Sequence, residues 1–531
     1  MSQLSIPMHQ ELSRRALAPV VRIISQALVP ASTLFLIGCQ QIPKHDVSLV
    51  TTSHWGASAQ VQAMQPGDQA REASAWWTLL NDPAIDALVD ATLKDSPDLA
   101  QAVARMDAAS AAAGESLAAG RPQVSGSASA TRGSSQVSSN SNVTRVGTSS
   151  TVGLNLSWEL DLFGRIRAQQ QAAQQRFSAR TIDAEAMQVA LAAEVADRVV
   201  EWRACNYLRE VRQWEVASRQ TTLQLTRRKV AAGMSAAIDE ARAVNDVNLA
   251  RTDEISQREI CGRDLNAIVA LSGRNADQVR DLLREPLEQG TRACDIDGSD
   301  TAAACETSTA DGARVVLPLA PGVGLAVPAV VLASNPSVLS AQREVAAAAS
   351  DLDAAQASRY PRLDLLSLLT GQWLSFGGQA LNYATWSAGA VLSGTIVDGG
   401  LVSSQVDGAN ARYREAVAKV VSAVRSSAQD IENALLAMSS ASDREVATQH
   451  AVAAARTSMR IARVQWRSGA STLLDLEDAQ RQYAVASRNA ISAAKDQSQA
   501  WISLVRAAGN QGIAFMSTST PGSKDDPDHA Q

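Results

Sequence analysis

Aromatic side chains are scarce in this sequence: Phe, Tyr and Trp together make 4% of its 531 residues. A thick globular core normally carries more of them, so the chain is expected to pack long elements closely through small residues instead. Groups for catalysis or metal binding are scarce too. The five His, at positions 9, 45, 54, 450 and 529, show no ligand spacing, and no phosphate loop, HExxH or nucleophile elbow occurs. No enzyme activity, metal or cofactor is therefore expected. A basic patch is also missing. Net charge is −6, and setting aside residues 1–38, where Arg14, Arg15, Arg22 and Glu11 give a net +2, leaves −8; nucleic acid is not an expected partner. Past the N-terminal region no run suits a transmembrane helix. The most apolar stretch, 315–333, is interrupted by Pro318, Pro321 and Pro328, each of which would cost a helical hydrogen bond in lipid, and it reads as an extended connector.

What the sequence does contain is organised around residues 466–481, WRSGASTLLDLEDAQR. A Gly turn at Gly469 separates two long helical patterns, the tip of a helical hairpin. A second copy lies at 228–243, RKVAAGMSAAIDEARA, in which Gly233 and Asp239 precede Gly469 and Asp475 by 236 positions. Gly164 and Gly400, and Phe177 and Tyr413, share that offset; Pro97 with Pro336, and Pro122 with Pro361, differ by 239. Shared order at nearly constant offset identifies a duplication. One unit reads helix, extended hairpin, long helix, turn, helix.

The N-terminus has three Arg followed by an apolar run ending in Leu36-Ile37-Gly38-Cys39. That pattern is a secretory signal ending in a lipobox, with Cys39 the residue to be acylated. The resulting division is a signal peptide at 1–38, an N-terminal surface segment at 39–82, a first repeat at 83–272, an inter-repeat connector at 273–330, a second repeat at 331–509 and a disordered tail at 510–531.

Each repeat holds two strand patterns. In 152–160, Val152, Leu154, Leu156, Trp158 and Leu160 alternate with Gly, Asn, Ser and Glu, the period of a strand wet on one side. Strands of about 9–11 residues cross a bilayer when tilted, but four cannot close a membrane barrel, which needs roughly eight. Other copies of the chain must satisfy the open edges, in a shared barrel of 8, 12 or 16 strands. The long helices carry a heptad seam, Val417, Val421, Val424, Ala428, Ile431, Leu435 and Met438, with Val195, Val199 and Trp202 at matching places in the first repeat. Residues 165–232 as one helix would run about 100 Å.

The Cys39 lipobox, SWELDLFGRIR at 157–167, NPSVLSAQREVAAA at 335–348, VDGG at 397–400 and LLDLEDAQRQY at 473–483 resemble the outer membrane factor family of TolC-like exit ducts, in its lipidated, NodT-like branch serving resistance-nodulation-division (RND) efflux pumps. The resemblance implies a mainly α fold with a membrane β-barrel part: a homotrimer, four strands per protomer in a 12-stranded outer-membrane barrel, above a periplasmic coiled-coil helical barrel that closes at its far end. It also implies partners, namely outer-membrane lipid, a periplasmic adaptor and an inner-membrane RND-type pump. The family's pore-closing acids follow the second hairpin tip, where this chain has Asp475 and Asp478. Where some relatives tether the closed tip with a Tyr and an Arg, this chain has Trp466 and Ser471, and Arg242 stands where Asp478 would recur. Gathered by threefold symmetry, the two acids would make a ring attracting cations; a solvated acidic face at a helix start is the plainer alternative. Two other functions stay open, a type I secretion exit duct and a lipid-anchored coiled-coil scaffold that transports nothing.

Cysteine spacing adds one expectation. Cys205 and Cys261 each lie 28 residues from Gly233, so an antiparallel pair turning there brings them level, within disulfide reach or as two buried free thiols. Cys294 and Cys305 form a separate candidate pair.

Overall fold

The computed structural model describes residues 55–56, 62–63, 75–136, 144–284, 317–318, 323–325, 328–376, 379–509 and 513–515. Cys39, Cys294 and Cys305, with the signal segment and most of the expected connector and tail, lie outside the described residues. A short strand β1, Gln62–Ala63, and a 3-10 turn, Trp76–Leu80, precede the first repeat. Helix α1, Pro83–Asp95, starts where Asp82 accepts from the Ala84 N–H, and α2, Pro97–Ala119, where Ser96 accepts from the Leu99 N–H; both carry Pro at the first turn, where its missing N–H costs nothing. Strands β2, Gln123–Gln136, and β3, Thr144–Leu160, lead into α3, Arg165–Ala231, and α4, Ala237–Ser272, with the short α5, Ala276–Arg284, after them.

The second repeat runs the same course. A short β4, Val323–Leu325, is followed by α6, Pro328–Ser334, α7, Pro336–Ala357, β5, Arg362–Phe376, β6, Gln379–Ser393, α8, Leu401–Arg467, and α9, Leu473–Ala508, and β7, Ile513–Phe515, ends the described chain. Both long helices have 67 residues and both return helices 36, so the duplication keeps length as well as order. At about 1.5 Å per residue each long helix extends roughly 100 Å.

The strands β2, β3, β5 and β6 form one antiparallel sheet in that order, with the two copies joined by β3 against β5. Residues paired across antiparallel strands share a face. The row Leu154, Leu369, Trp386 therefore marks the face that also carries Val152, Leu156, Trp158, Leu365 and Trp373. The opposite face of β2 and β3 carries Ser125, Ser127, Ser129, Thr151, Asn155 and Ser157. Leu154, Leu369, Trp373 and Trp386 are exposed, so among the described residues nothing covers this apolar face. Among the same residues strands β2 and β6 each have one partner and form the two edges of the sheet.

The largest core lies midway along the long helices. Val195 and Val199 of α3, Ile431 and Leu435 of α8, Trp501, Leu504 and Val505 of α9, and Ile85 and Leu88 of α1 meet there fully buried, with Val424, Ala428 and Met438 against them. Within this core the Arg203 guanidinium donates twice to Asp82, both at 2.8 Å, and both side chains are out of water. Asp82 thus caps α1 and neutralises Arg203 at once.

Several boundaries differ from the sequence reading. The 39–82 segment is not wholly a surface: Trp55, Trp76, Trp77 and Leu80 are buried, and the Trp76 ring lies 5.7 Å from that of Trp501, because these are among the few aromatics able to fill the core. Within 273–330, residues Ala276–Arg284 form α5, with Val279 and Leu283 inward. The second repeat begins at Pro328 rather than 331, since a Pro at a helix start is compatible with α6. The tail starts later than 510, because Ile513–Phe515 pairs antiparallel with Val323–Leu325. The four strands of this sheet have 14 to 17 residues, longer than the roughly 9–11 expected. Near its start α8 buries Val420 rather than Val417 or Val421, because α7 lies along that side.

Candidate functional site

Two hairpin tips, one per repeat, hold the candidate residues. The turns are built alike. Gly233 and Gly469 have φ of 73° and 78°, a left-handed conformation that disfavours any residue with a Cβ. Around them, the Met234 N–H donates to the Lys229 carbonyl and the Ala470 N–H to the Gln465 carbonyl, both at 2.8 Å. The Gly233 N–H donates to Val230 and the Gly469 N–H to Trp466. These are matching Schellman closures, which end a helix and reverse the chain.

The return helices start differently. In α9, Thr472 and Asp475 make a reciprocal capping box: the Asp475 N–H donates to Thr472 Oγ1 at 3.2 Å, while the Thr472 N–H donates to Asp475 Oδ2 at 2.8 Å. In α4 the cap residue is Ala236 and only half of the box remains, with the Ala236 N–H and Ser235 Oγ donating to Asp239. The donated hydrogen bond from Thr472 holds the Asp475 carboxyl below the usual carboxylate range, and that from Ser235 does the same for Asp239. Asp475 is exposed and ionised at neutral pH. One turn on, Asp478 pairs with Arg481 and accepts from Gln482 at 2.7 Å. In the first copy Arg242 lies 3.8 Å from Asp239, a base at the place that Asp478 takes in the second. Asp475 and Asp478 thus sit in the first turn and a half of α9, Asp475 engaged by the cap and Asp478 by its own helix.

Above the tips the two hairpins are held in different ways. Helix α9 lies along both α8 and α3 and buries Leu476, Ala479, Tyr483, Ala484, Ser487, Ala490 and Ile491. Trp214 meets Tyr483 edge to face at 5.8 Å, Ser218 donates to Gln480 at 2.8 Å, and Arg488 pairs with Glu215 at 2.6 Å. Burial pushes the Glu477 carboxyl up, opposed by Arg219 and assisted by Asp246. Helix α4 lies along α3 through Ala243 and Val247 and the ion pairs Arg212–Asp253, Arg219–Asp246 and Arg227–Glu240, at 2.9, 3.7 and 3.0 Å. A disulfide between Cys205 and Cys261, with Cα atoms 5.6 Å apart, closes the set. The Asp82–Arg203 pair and the burial of Glu477, which reads from sequence as part of the acidic side with Asp475 and Asp478, were missed by sequence reasoning. An Asp immediately before Pro83 was a legible helix-cap signal, but its Arg partner lies 121 residues away and no spacing rule reaches that far.

Residues 88–274 and 327–510 each match the family model described as outer membrane efflux protein, one match per repeat. Nodulation protein T of Rhizobium leguminosarum bv. trifolii is 27% identical over 412 residues, covering 77% of this chain and 82% of that protein. Outer membrane protein OprJ of Pseudomonas aeruginosa is 26% identical over 460 residues, covering 84% and 88%. Among solved structures, the outer-membrane channel OprN superposes with a TM-score of 0.71 at 25% identity, over 87% of this chain and 97% of that one. Repeat order, sheet, paired tips and both halves of the family match agree: the chain belongs to the outer membrane efflux protein family and is an efflux channel of the outer membrane.

Proposed function

We propose that three copies of this chain form the exit duct of a tripartite efflux assembly, with a periplasmic adaptor and an inner-membrane RND-type pump as partners. The observation that carries the reading is the pair of unpartnered edges, β2 and β6, on a sheet whose apolar face is uncovered. In lipid an open edge leaves backbone groups unsatisfied, and β6 of one copy against β2 of the next closes three sheets into a 12-stranded barrel. Helices of about 100 Å then extend from the barrel through the periplasm, and acylated Cys39 adds a lipid anchor. The second tips converge on the threefold axis, where Asp475 and Asp478 from each copy form a carboxylate ring that selects cations and narrows the resting aperture. Cargo is set by the pump and adaptor, because the duct offers water, charge and diameter.

Native mass spectrometry of the detergent-extracted protein, followed by single-channel recording in planar bilayers, tests this reading. A trimer carrying acyl groups at Cys39 and conducting ions is expected. A monomer without conductance would support the scaffold reading instead.

A further inference from the structure

The two hairpins share length, turn and order, yet over the same interval they bury very different amounts. Residues 248–260 of α4 contain no fully buried side chain, whereas the matching interval 484–496 of α9 buries Ala484, Ser487, Ala490, Ile491 and Ala493. The ion pairs that hold α4 to α3 are partly exposed, and contact with water weakens such pairs. The outward side of α4 carries apolar residues between polar ones such as Arg242, Asn245, Thr252 and Ser256. Ile238, Leu249 and Ile260 are 58%, 58% and 38% exposed and recur every eleven residues, close to three full turns, so they line up as one stripe. Helix α4 is thus a weakly seated arm with exposed apolar residues at three levels of its outer side.

The disulfide stands at the head of that arm. Cys205 and Cys261 are 3% and 5% exposed, and from Cys261 onward α4 buries Asp264, Leu265 and Ile268. In the second repeat the matching positions are Ala441, itself buried, and Gln497, so the arm that has a continuous apolar seam has no cross-link. We propose that the Cys205–Cys261 disulfide is an assembly clamp: it keeps the α4 arm in register on α3 until a neighbouring copy covers the Ile238, Leu249 and Ile260 stripe. The inference rests on the trimeric reading above. The neighbour is a second copy of this chain because the sheet edges already require one alongside. Closing the bond releases two protons and two electrons from the two thiols, and a disulfide-bearing thiol oxidant takes up the electrons as it becomes a dithiol. Once formed, the bond is shielded by its own burial.

Hydrogen exchange of the full chain, as detergent monomer and as assembled trimer, tests the clamp in wild type and in Cys205→Ala/Cys261→Ala. The expected result is exchange at least tenfold faster across 237–260 in the variant monomer, no change across 473–496, trimers forming at least tenfold more slowly, and equal protection of 237–260 in both trimers. Wild-type chain refolded under reductant gives the same comparison should the variant fail to fold. Equal protection of 237–260 in oxidised and thiol-free monomers would overturn the clamp. Wild type that never trimerises would overturn the trimeric reading, while the monomer exchange still decides whether the bond seats the arm.

Discussion

The first hairpin and the second are copies offset by 236 residues, and they differ in what keeps each return helix in place. In the second, α9 is wedged between α8 and α3 by a run of buried side chains from Leu476 to Ile491. In the first, α4 has two buried side chains near the tip, a set of ion pairs and a covalent bond. Equal backbones therefore tolerate unequal chemistry, provided each arm has some source of register. The tips diverge in the same sense: the second has Asp475 and Asp478 and a complete capping box, while the first has Asp239 with half a box and Arg242 where the second Asp would recur.

The largest expected effect tests whether the first copy depends on charge where the second does not. Arg203→Met leaves Asp82 buried without its partner and is expected to cost about 3–5 kcal/mol, read as a fall in the denaturant midpoint. Ser439→Ala, at the matching place in α8, is expected to change stability by about 0.5 kcal/mol or less. Similar losses from both would remove the distinction between the copies.

A second pair compares the seams at one register. Tyr483 of α9 is 1% exposed and stands where α4 has Val247, 4% exposed. Removing the large aromatic with Tyr483→Ala is expected to cost about 3–5 kcal/mol, against about 1.5 kcal/mol for Val247→Ala. The same midpoints measure both.

The smallest effect concerns Asp264, a buried acid of α4 whose second-copy counterpart is Ala500. Its Oδ2 has no hydrogen-bond partner among the described residues. It is faced by Glu201 and Arg198 of α3, by Lys495 of α9 and by Arg263 of its own helix, and burial, then Glu201, pushes its carboxyl up. A raised folded-state value means the folded chain binds this proton more tightly than the unfolded chain. Stability is therefore lost as pH rises from the usual Asp range through the raised value. Asp264→Ala should raise stability by about 1 kcal/mol near neutral pH, with the gain shrinking as pH falls. A gain independent of pH would assign the effect to packing instead.

Much of this comparison was legible in the residues. Constant offsets among Gly, Pro and Asp located both turns, both Pro-led helices and the sheet hairpins, because those residues mark backbone conformations that few others adopt. The level of Cys205 and Cys261 followed from counting out from Gly233. Three features were not legible. The burial of Trp76 and Trp77 depends on Trp501, more than 400 residues later. Val420 replaces Val417 and Val421 at the seam because α7 fixes which side of α8 is covered. The capping role of Asp475 was obscured by its resemblance to a pore acid, although Thr472 three residues earlier signals a capping box.

That double role fixes the most direct test of the account, which holds that the second tip carries the aperture. Asp475→Ala removes a helix cap as well as the proposed pore charge, so Asp239→Ala, which removes the corresponding cap contact from α4, is the control. In planar bilayers the Asp475→Ala/Asp478→Ala channel should show higher resting conductance and weaker block by multivalent cations, while Asp239→Ala should conduct and be blocked as wild type is. Equal responses from the two tips, or none from the second, would contradict the account.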